Sequence, residues 1–463
     1  MKKLAVPLGR ILFILLLLAG LSVCTMSDLS EGEPPEDALS FDQLLASLDE
    51  LQGPATQDPS APGKTVFSLP DGSLFGSADL SAYLNAIKRD LAAYIYSCTG
   101  GAPYLVVSRT LTWDADPGPA VVPESGLMWV PVTWWGRWIS TPIISYQHGT
   151  QVYRECAPSK FNANPLAILV HPDLTGALQN YVECIVGALM ATAGYTVVMP
   201  DYAGFGSSQK IHPYVHHSLG DSVVGALIEA RRKLTSRGVR PVNALYLTGY
   251  SEGGYATMAG ARALQAAMIP VTGIVACAGP YDLSGTMRLQ MLSETLIPAP
   301  HYLPYTASGY RAAEPTTMPA LDLLLGDPWD DRADEYFDGT HTNAEVVAAV
   351  PASTIPVSML TAAAISTYLA SPGGTVYQLL EANNAWQGWT PQCPLAFVHC
   401  PDDDVVPDEN AAVAQLYYAS KGIPVPVIPV TAVPFIESVL GTTHVAAYPP
   451  AMLTAFKLIR GDY

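Results

Sequence analysis

One short segment constrains the fold of this chain more than any other: Gly249-Tyr250-Ser251-Glu252-Gly253-Gly254, which matches the pattern G-x-S-x-G. An apolar run at residues 244–248 precedes it directly, and a stretch rich in small residues follows it. This order predicts a strand, a sharp turn and a helix, with the Ser251 hydroxyl raised above the end of the strand. Gly249 and Gly253 are expected to let the strand and the helix approach closely. The alternative is a tight connection that carries a solvent-exposed serine.

Strand-like and helix-like segments alternate along most of the chain. Strand-like runs at residues 104–113, 127–135 and 142–146 come first, and short apolar runs alternate with helical patterns from residue 196 to 458. This alternation predicts an α/β fold, with a mostly parallel central sheet and helices on both faces. The alternation stops between about residues 283 and 389. Because that stretch lies between two sheet strands, we expect it to be an inserted helical cap.

The N-terminal part of the chain reads as an export signal followed by a spacer. Lys2, Lys3 and Arg10 precede or begin an apolar run at residues 11–18, which predicts a signal peptide over residues 1–23. Residues 21–24 are similar to a bacterial lipoprotein box that would lipidate Cys24, although ordinary cleavage beside an incidental cysteine is an equal alternative. Residues 24–65 are acidic and proline-rich, which predicts a solvated tether with one short helix at about 41–51. The catalytic domain would then span residues 66–463.

Composition excludes several classes of protein. The chain of 463 residues carries 41 acidic and 23 basic residues, a formal net charge of −18, and hydrophobic residues make up 49% of it. A large buried core is therefore expected, and the basic surface of a nucleic-acid-binding protein is not. Six cysteines remain beyond Cys24; in an exported protein they could pair, and buried free thiols are the alternative. No Cys/His spacing suggests a metal site.

A serine nucleophile requires a base, and the base requires an acid to orient it. In folds of this architecture the chain order is serine, acid, histidine. Three aspartates follow the apolar run at residues 395–398, and His444 is the one histidine after them. Their spacing to Val406-Pro407 favours Asp403 as the acid, with Asp404 and, more remotely, Asp282 as alternatives.

The tetrahedral intermediate of acyl transfer needs two fixed donors for its oxyanion. We expect one to be the backbone N–H of Glu252, directly after the serine. The other is expected in the loop after the strand at residues 142–146, where Thr150 is our first choice and Gly149 the alternative. The glycine-rich loop at residues 200–206 is expected to shape the rim of the pocket. The Trp-rich cluster at residues 134–138 is expected to pack on a strand, or alternatively to line a substrate groove.

These motifs together resemble the α/β-hydrolase superfamily and, more narrowly, the secretory lipase family of the fungal lipase A type with its bacterial relatives. The resemblance rests on residues 146–149, 200–206, 212–214, 249–254, 279–283, 337–341, the aspartate loop and Thr443-His444. It implies hydrolysis of carboxylic esters, acylglycerols included, beneath a helical cap. Glu252 differs from the glutamine that is frequent at this position in such lipases.

The sequence therefore predicts an exported serine esterase or lipase, secreted, periplasmic or lipid-anchored at the cell envelope, with a small-molecule or lipid ester as substrate. Catalysis would use Ser251, His444 and Asp403 and no metal or organic cofactor. The uncharged stretch at residues 346–380 could hold an acyl chain, or could be a buried helix pair. A serine peptidase or acyltransferase on the same fold is the alternative, and a non-catalytic binding protein is a more distant one.

Overall fold

The computed structural model describes residues 37–50, 56–57, 65–68, 74–76, 84–115, 123–434 and 442–462. The predicted signal peptide and Cys24 lie outside the described residues. In the described part, a nine-stranded sheet forms the centre of the molecule, and three short strands form a second sheet.

The strands of the large sheet are ordered β1-β5-β6-β8-β7-β9-β10-β11-β12. From β8 to β12 the neighbours are parallel, whereas β1, β5 and β6 form an antiparallel edge. The small sheet has the order β2-β3-β4. The strands are β1 (Ala38–Leu39), β2 (Thr56–Gln57), β3 (Thr65–Ser68), β4 (Leu74–Gly76), β5 (Leu105–Asp114), β6 (Pro123–Val132), β7 (Ile143–Gln147), β8 (Thr196–Pro200), β9 (Leu245–Tyr250), β10 (Gly273–Cys277), β11 (Leu395–His399) and β12 (Val427–Pro429).

Helices cover both faces of this sheet. The α-helices of the described part of the chain, including those of the segment between β10 and β11, are α1 (Phe41–Glu50), α2 (Ala93–Cys98), α3 (Leu174–Thr192), α4 (Leu219–Ser236), α5 (Glu252–Ala266), α6 (Arg288–Met291), α7 (Tyr302–Ala313), α8 (Leu321–Leu324), α9 (Trp329–Tyr336), α10 (Asn343–Ala349), α11 (Thr375–Ala382), α12 (Glu409–Ser420), α13 (Thr443–Ala446) and α14 (Tyr448–Arg460). Short 3₁₀ turns lie at Arg154–Cys156, Pro158–Lys160, Pro165–Val170 and Pro356–Met359, and π-helical turns at Ile87–Ala92, Leu283–Met287 and Ala364–Tyr368.

Strand side chains alternate between two hydrophobic cores. In β7, Ile143 belongs to the core beneath α4, α5 and α12, while Ile144 belongs to the core beneath α3 and α14. Val198 and Val197 in β8 divide in the same way. A strand buried on both faces must be apolar at every position, which explains the continuous apolar runs in the sequence. The predicted mostly parallel sheet with helices on both faces is confirmed.

The segment between β10 and β11 contributes helices and no strand to the large sheet. It contains α6 to α11, and one isolated bridge joins Leu325 to Leu360. The alternation of strands and helices therefore stops where the sequence indicates, after Cys277, and resumes at Leu395.

The predicted tether needs correction. Ala38 and Leu39 pair with β5, and α1 buries Phe41, Leu44 and Leu48 against the core that α3 covers. The three apolar side chains are spaced by three and four residues and therefore lie on one face of the helix. Burial of that face against the core explains why this segment packs and does not extend into solvent. Residues 38–50 therefore belong to the folded body, which was expected to start at residue 66, and the helix expected at 41–51 is present as α1.

The Trp-rich cluster packs on the strands only in part. Strand β6 ends at Val132, and Trp134 and Trp135 lie in a turn, 59% and 51% exposed. Because β6 runs antiparallel to β8, this turn lies at the end of the sheet where the parallel strands begin. Trp138, by contrast, forms a bridge with Val132, and its ring lies 5.8 Å from the guanidinium carbon of Arg109 in β5, so this residue packs on the strands as expected. The exposed turn does not lie at the end of the sheet where Ser251 is found. The last strand, β12, is only three residues long.

The cysteines of the described residues are free thiols. Cys156, Cys184, Cys277 and Cys400 are buried and Cys98 and Cys393 partly buried. The alternative of buried thiols, and not of disulfides, is therefore the one observed. Within the described residues, no helix has both the length and the apolar character needed to cross a membrane.

Candidate active site

Ser251 lies at a sharp turn between β9 and α5, with a backbone φ of 59° and ψ of −125°. For a residue with a side chain, such a positive φ costs conformational energy, and the packing around the turn must offset that cost. A Cβ atom on Gly249 would come within 2.5 Å of the Gln147 carbonyl oxygen, and one on Gly253 within 2.1 Å. The two glycines therefore leave room for α5 and β9 to approach the backbone of β7 closely.

The three residues proposed from the sequence converge at the carboxyl ends of the parallel strands. His444 Nε2 lies 2.8 Å from Ser251 Oγ, and His444 Nδ1 lies 2.7 Å from Asp403 Oδ2. Asp403 and His444 are 8% and 5% exposed, whereas Ser251 is partly exposed. One imidazole ring thus joins a reachable hydroxyl to a buried carboxylate.

The surroundings of Asp403 keep it ionised. Its Oδ1 accepts hydrogen bonds from the backbone N–H groups of Val405 and Val406, at 3.0 and 2.8 Å. Burial opposes the charge, but attraction to the His444 ring and hydrogen bonds from His399 and His444 outweigh it, so the pKa of Asp403 lies below its ordinary value. A carboxylate held in this way orients the histidine ring and favours its protonated form.

Asp404 and Asp282, the alternative acids, do not contact the His444 ring. Asp404 Oδ1 instead accepts from the His444 backbone N–H at 3.1 Å and from the Thr442 hydroxyl at 2.7 Å. Asp282 caps a helical turn, its Oδ2 accepting from the Thr286 backbone N–H at 2.8 Å. Asp403 is therefore the aspartate that meets the ring.

Tyr250 is a site residue that the sequence reasoning missed. Its hydroxyl donates to the His444 carbonyl oxygen at 2.6 Å, and the two rings lie 5.0 Å apart. Together with Asp404 on the N–H side, Tyr250 fixes both ends of the His444 peptide backbone. The only signal in the sequence is the position of Tyr250 directly before the serine, which places it next to the site.

The two candidates for the second oxyanion donor, Thr150 and Gly149, both lie in the loop after β7. The Gly149 N–H donates to Glu183 of α3, at 3.0 Å to Oε2 and 3.3 Å to Oε1, so this amide is already committed. Burial raises the pKa of Glu183, and the nearby His148 ring lowers it in part. Among the described residues, no acceptor takes a hydrogen bond from the backbone N–H of Thr150 or of Glu252. The geometry therefore favours Thr150 over Gly149.

An apolar cleft begins at Ser251. The helical segment between β10 and β11 supplies most of its lining, including Met287, Leu303, Ala307, Leu324, Val376 and Leu380. Glu252 and Arg288 are the charged residues that line it, and Arg288 already donates to the Ser284 and Leu369 carbonyl oxygens. The cleft suits an extended apolar group attached to a reacting centre at Ser251.

Within the described residues, no group of three or more histidine, cysteine, aspartate or glutamate side chains is arranged to hold a metal ion.

Known proteins resemble this chain in family pattern and in fold. A family model described as secretory lipase matches residues 171–447, which is more than half of the chain. No curated protein sequence matches the chain closely.

Solved structures share the fold at low sequence identity. A protein of Legionella pneumophila assigned provisionally as a hydrolase is 23% identical, with a TM-score of 0.64 over 80% of this chain and 95% of that one. The rice cell wall degrading esterase LipA from Xanthomonas oryzae is 19% identical, with a TM-score of 0.62 over 80% and 93%. Candida antarctica lipase A in its closed state is 18% identical, with a TM-score of 0.52 over 73% and 74%. These structures establish an α/β-hydrolase fold.

Proposed function

The chain belongs to the secretory lipase family, a family of carboxylic ester hydrolases, and from this premise we propose that it is an exported serine esterase or lipase that works through an acyl-enzyme. The observation that carries the proposal is the unbroken contact from Ser251 Oγ through the His444 ring to Asp403, at 2.8 and 2.7 Å. Contacts of this length match those of an activated serine.

The reaction has two half-steps. His444 Nε2 takes the Ser251 proton as the hydroxyl attacks the ester carbonyl, and then gives that proton to the departing alcohol. Asp403 holds the ring and stabilises its positive charge, while the N–H groups of Glu252 and Thr150 bind the oxyanion. In the second half-step, water attacks the acyl-enzyme by the same route, and the Ser251 hydroxyl is restored.

The cleft supports an ester with an apolar acyl chain as the substrate. Its walls are mostly apolar and offer few hydrogen-bond partners to a peptide backbone, whose amide groups need them when buried. We therefore favour esters over peptides, and water over a second alcohol as the usual acceptor. Comparing turnover of p-nitrophenyl esters with that of aminoacyl amides separates the esterase from the peptidase alternative.

We propose the helical segment from about residue 283 to 389 as a cap over the site, and residues 1–23 as a signal peptide. Export is consistent with membership of a secretory family. A lipid on Cys24 would hold the enzyme at the cell envelope, and mass spectrometry of the mature N-terminus tests this directly.

Labelling with a fluorophosphonate tests the nucleophile. Wild-type protein is expected to be labelled and to hydrolyse p-nitrophenyl esters, whereas Ser251→Ala loses the label and at least about 10⁴-fold in kcat. Ser236→Ala, at an exposed serine near the end of α4, is the matched control and should keep both. Persistent labelling of Ser251→Ala would identify a different serine, and absence of turnover by the folded wild type would favour a binding protein.

A further inference from the structure

Glu252 is an unusual residue to find beside an oxyanion. It directly follows Ser251, lines the cleft, and its side chain is completely buried. Its backbone N–H is the proposed oxyanion donor. A negative carboxylate in a buried site would oppose the negative charge that develops there during the reaction. The structure must therefore compensate the charge of Glu252 if this amide is to serve.

His212 is the partner of Glu252. Its Nε2 lies 2.6 Å from Glu252 Oε1, and its Nδ1 lies 2.7 Å from the carbonyl oxygen of Ala203. A carbonyl only accepts hydrogen bonds, so Nδ1 carries a proton. One further proton must then lie between Nε2 and Oε1. Whether it is on the imidazole or on the carboxyl group, the pair has no net charge.

The loop after β8 is built around this ring. Gly204 has a φ of 97°, and a Cβ atom there would lie 2.7 Å from the His212 backbone nitrogen. Aromatic rings surround the imidazole, with centroids 4.7 Å away at Phe205 and 5.9 Å away at Tyr202 and Tyr305. Residues 200–206 are expected from the sequence to shape the rim of the pocket, but none of them lines the cleft at Ser251, and their glycine and aromatic residues instead position His212.

The second oxygen of the carboxyl group supports a neutral pair. Among the described residues, Glu252 Oε2 has no hydrogen-bond partner. A full carboxylate buried with one oxygen unpartnered is costly, and a proton shared with His212 reduces that cost. The titratable groups that face the pair from neighbouring elements are Glu183, Tyr202, Tyr214, Tyr302 and Tyr305, and burial raises the pKa of each of them.

We propose that His212 is a positioning residue that neutralises Glu252, so that the residue beside the nucleophile presents its amide to the oxyanion without an uncompensated negative charge. This inference rests on the proposed function, since it concerns the same reaction.

A double-mutant cycle tests the proposal with p-nitrophenyl butanoate as the probe. His212→Gln keeps a donor toward Glu252 but cannot carry a positive charge. At pH 8 we expect it to lower kcat by at least about tenfold with little change in KM, because the oxyanion exists only in the transition state. In the Glu252→Gln background, the same His212→Gln change should cost less than about threefold.

The pH dependence separates charge compensation from a purely structural role. The readout is the ratio of the two activities at each pH, because the contacts among Ser251, His444 and Asp403 are common to both enzymes. In His212→Gln, Glu252 must take up a proton of its own, so the deficit relative to wild type should shrink by at least about threefold between pH 8 and pH 6. Equal cost in both backgrounds, or a deficit that does not change with pH, would overturn the proposal.

Folding is checked by the thermal midpoint of each variant. If His212→Gln is unfolded, His212→Asn replaces it and the same two ratios decide. If neither single variant folds, recovery of folded protein in the double variant with Glu252→Gln supports the proposal, and continued unfolding contradicts it. A wild type that turns over no ester rejects the proposed function and this inference together, whereas an additive cycle in an active enzyme rejects this inference alone.

Discussion

Asp404 holds the backbone of His444 in place while its neighbour Asp403 contacts the ring. Asp404 Oδ1 accepts from the His444 N–H at 3.1 Å, and Asp403 Oδ2 lies 2.7 Å from His444 Nδ1. Two adjacent carboxylates therefore have different tasks, one fixing where the histidine sits and the other fixing how its ring is oriented.

Removal of the hydrogen bond between Asp404 and the His444 N–H should displace the His444 ring while leaving the histidine itself in the protein. We expect Asp404→Ala to lower kcat by about 10- to 100-fold with KM nearly unchanged, the cost of a small displacement in a reacting group. Steady-state kinetics with a short acyl ester measure this. Asp402→Ala, at the exposed neighbouring aspartate, is the matched control and should behave as wild type. Full activity of Asp404→Ala would show that Tyr250 and the helix alone position His444.

The buried Glu183 should matter through the loop that it holds. Glu183→Ala leaves the Gly149 N–H without its acceptor, and we expect kcat to fall by about 10- to 100-fold as the Thr150 amide loses its fixed position. Glu183→Gln keeps an acceptor oxygen at the same place and should lose much less. Equal losses in the two variants would mean that the carboxylate charge, and not the hydrogen bond, is what the loop requires.

The apolar cleft predicts that the enzyme accepts long acyl chains, and that one substitution in its wall reduces activity on long chains relative to short ones. Ala307 lies in α7, 8% exposed, and lines the cleft. Ala307→Phe fills part of this space, and loss of burial for two methylenes corresponds to about tenfold in kcat/KM. We expect that loss for p-nitrophenyl dodecanoate relative to the butanoate. Ala362→Phe, at an exposed alanine of the same helical segment, is the control. An unchanged ratio in Ala307→Phe would move the acyl site elsewhere.

His216 makes the fold sensitive to acid. Its ring is 3% exposed, and burial with the neighbouring His217 lowers its pKa to about 3. An unfolded histidine titrates near 6.5, so between about pH 6.5 and 3 the unfolded chain binds a proton that the folded one does not. Stability from this group is complete above pH 6.5 and falls as the pH is lowered, by up to about 1.4 kcal/mol per pH unit.

Urea denaturation at pH 7 and pH 5.5 measures this effect. His216→Asn keeps an acceptor for the Ser218 N–H but cannot be protonated, so its stability should fall less between the two pH values than that of wild type. His171→Asn is the matched control, since the partly exposed His171 ring accepts from the Asp173 N–H in the same way. Identical pH slopes in wild type and His216→Asn would contradict the assignment.

The sequence predicts those parts of the site that depend on local patterns. The turn at Ser251 follows from the strand, the glycines and the helix in succession, and His444 follows from chain order. Asp403 and Asp404 are chemically identical neighbours, and only the loop spacing favoured the residue that contacts the ring.

Other contacts leave no local pattern. Glu183 reaches Gly149 from a helix more than thirty residues away, and His212 reaches Glu252 from a loop on another strand. Such pairs depend on how the strands are ordered in the sheet, which periodicity alone does not give. Strand β1 was missed because two residues are too few to show alternation, and its pairing with β5 is what holds them.

The pairing of Ala38 with the sheet limits how far the enzyme could lie from a lipid attached to Cys24. Only thirteen residues lie between Cys24 and Ala38, where the chain joins the sheet. A chain of that length spans roughly 50 Å when fully extended. Were Cys24 acylated, the enzyme would be confined to a shallow layer above the bilayer, where it meets lipids of its own membrane more often than substrates in bulk solution.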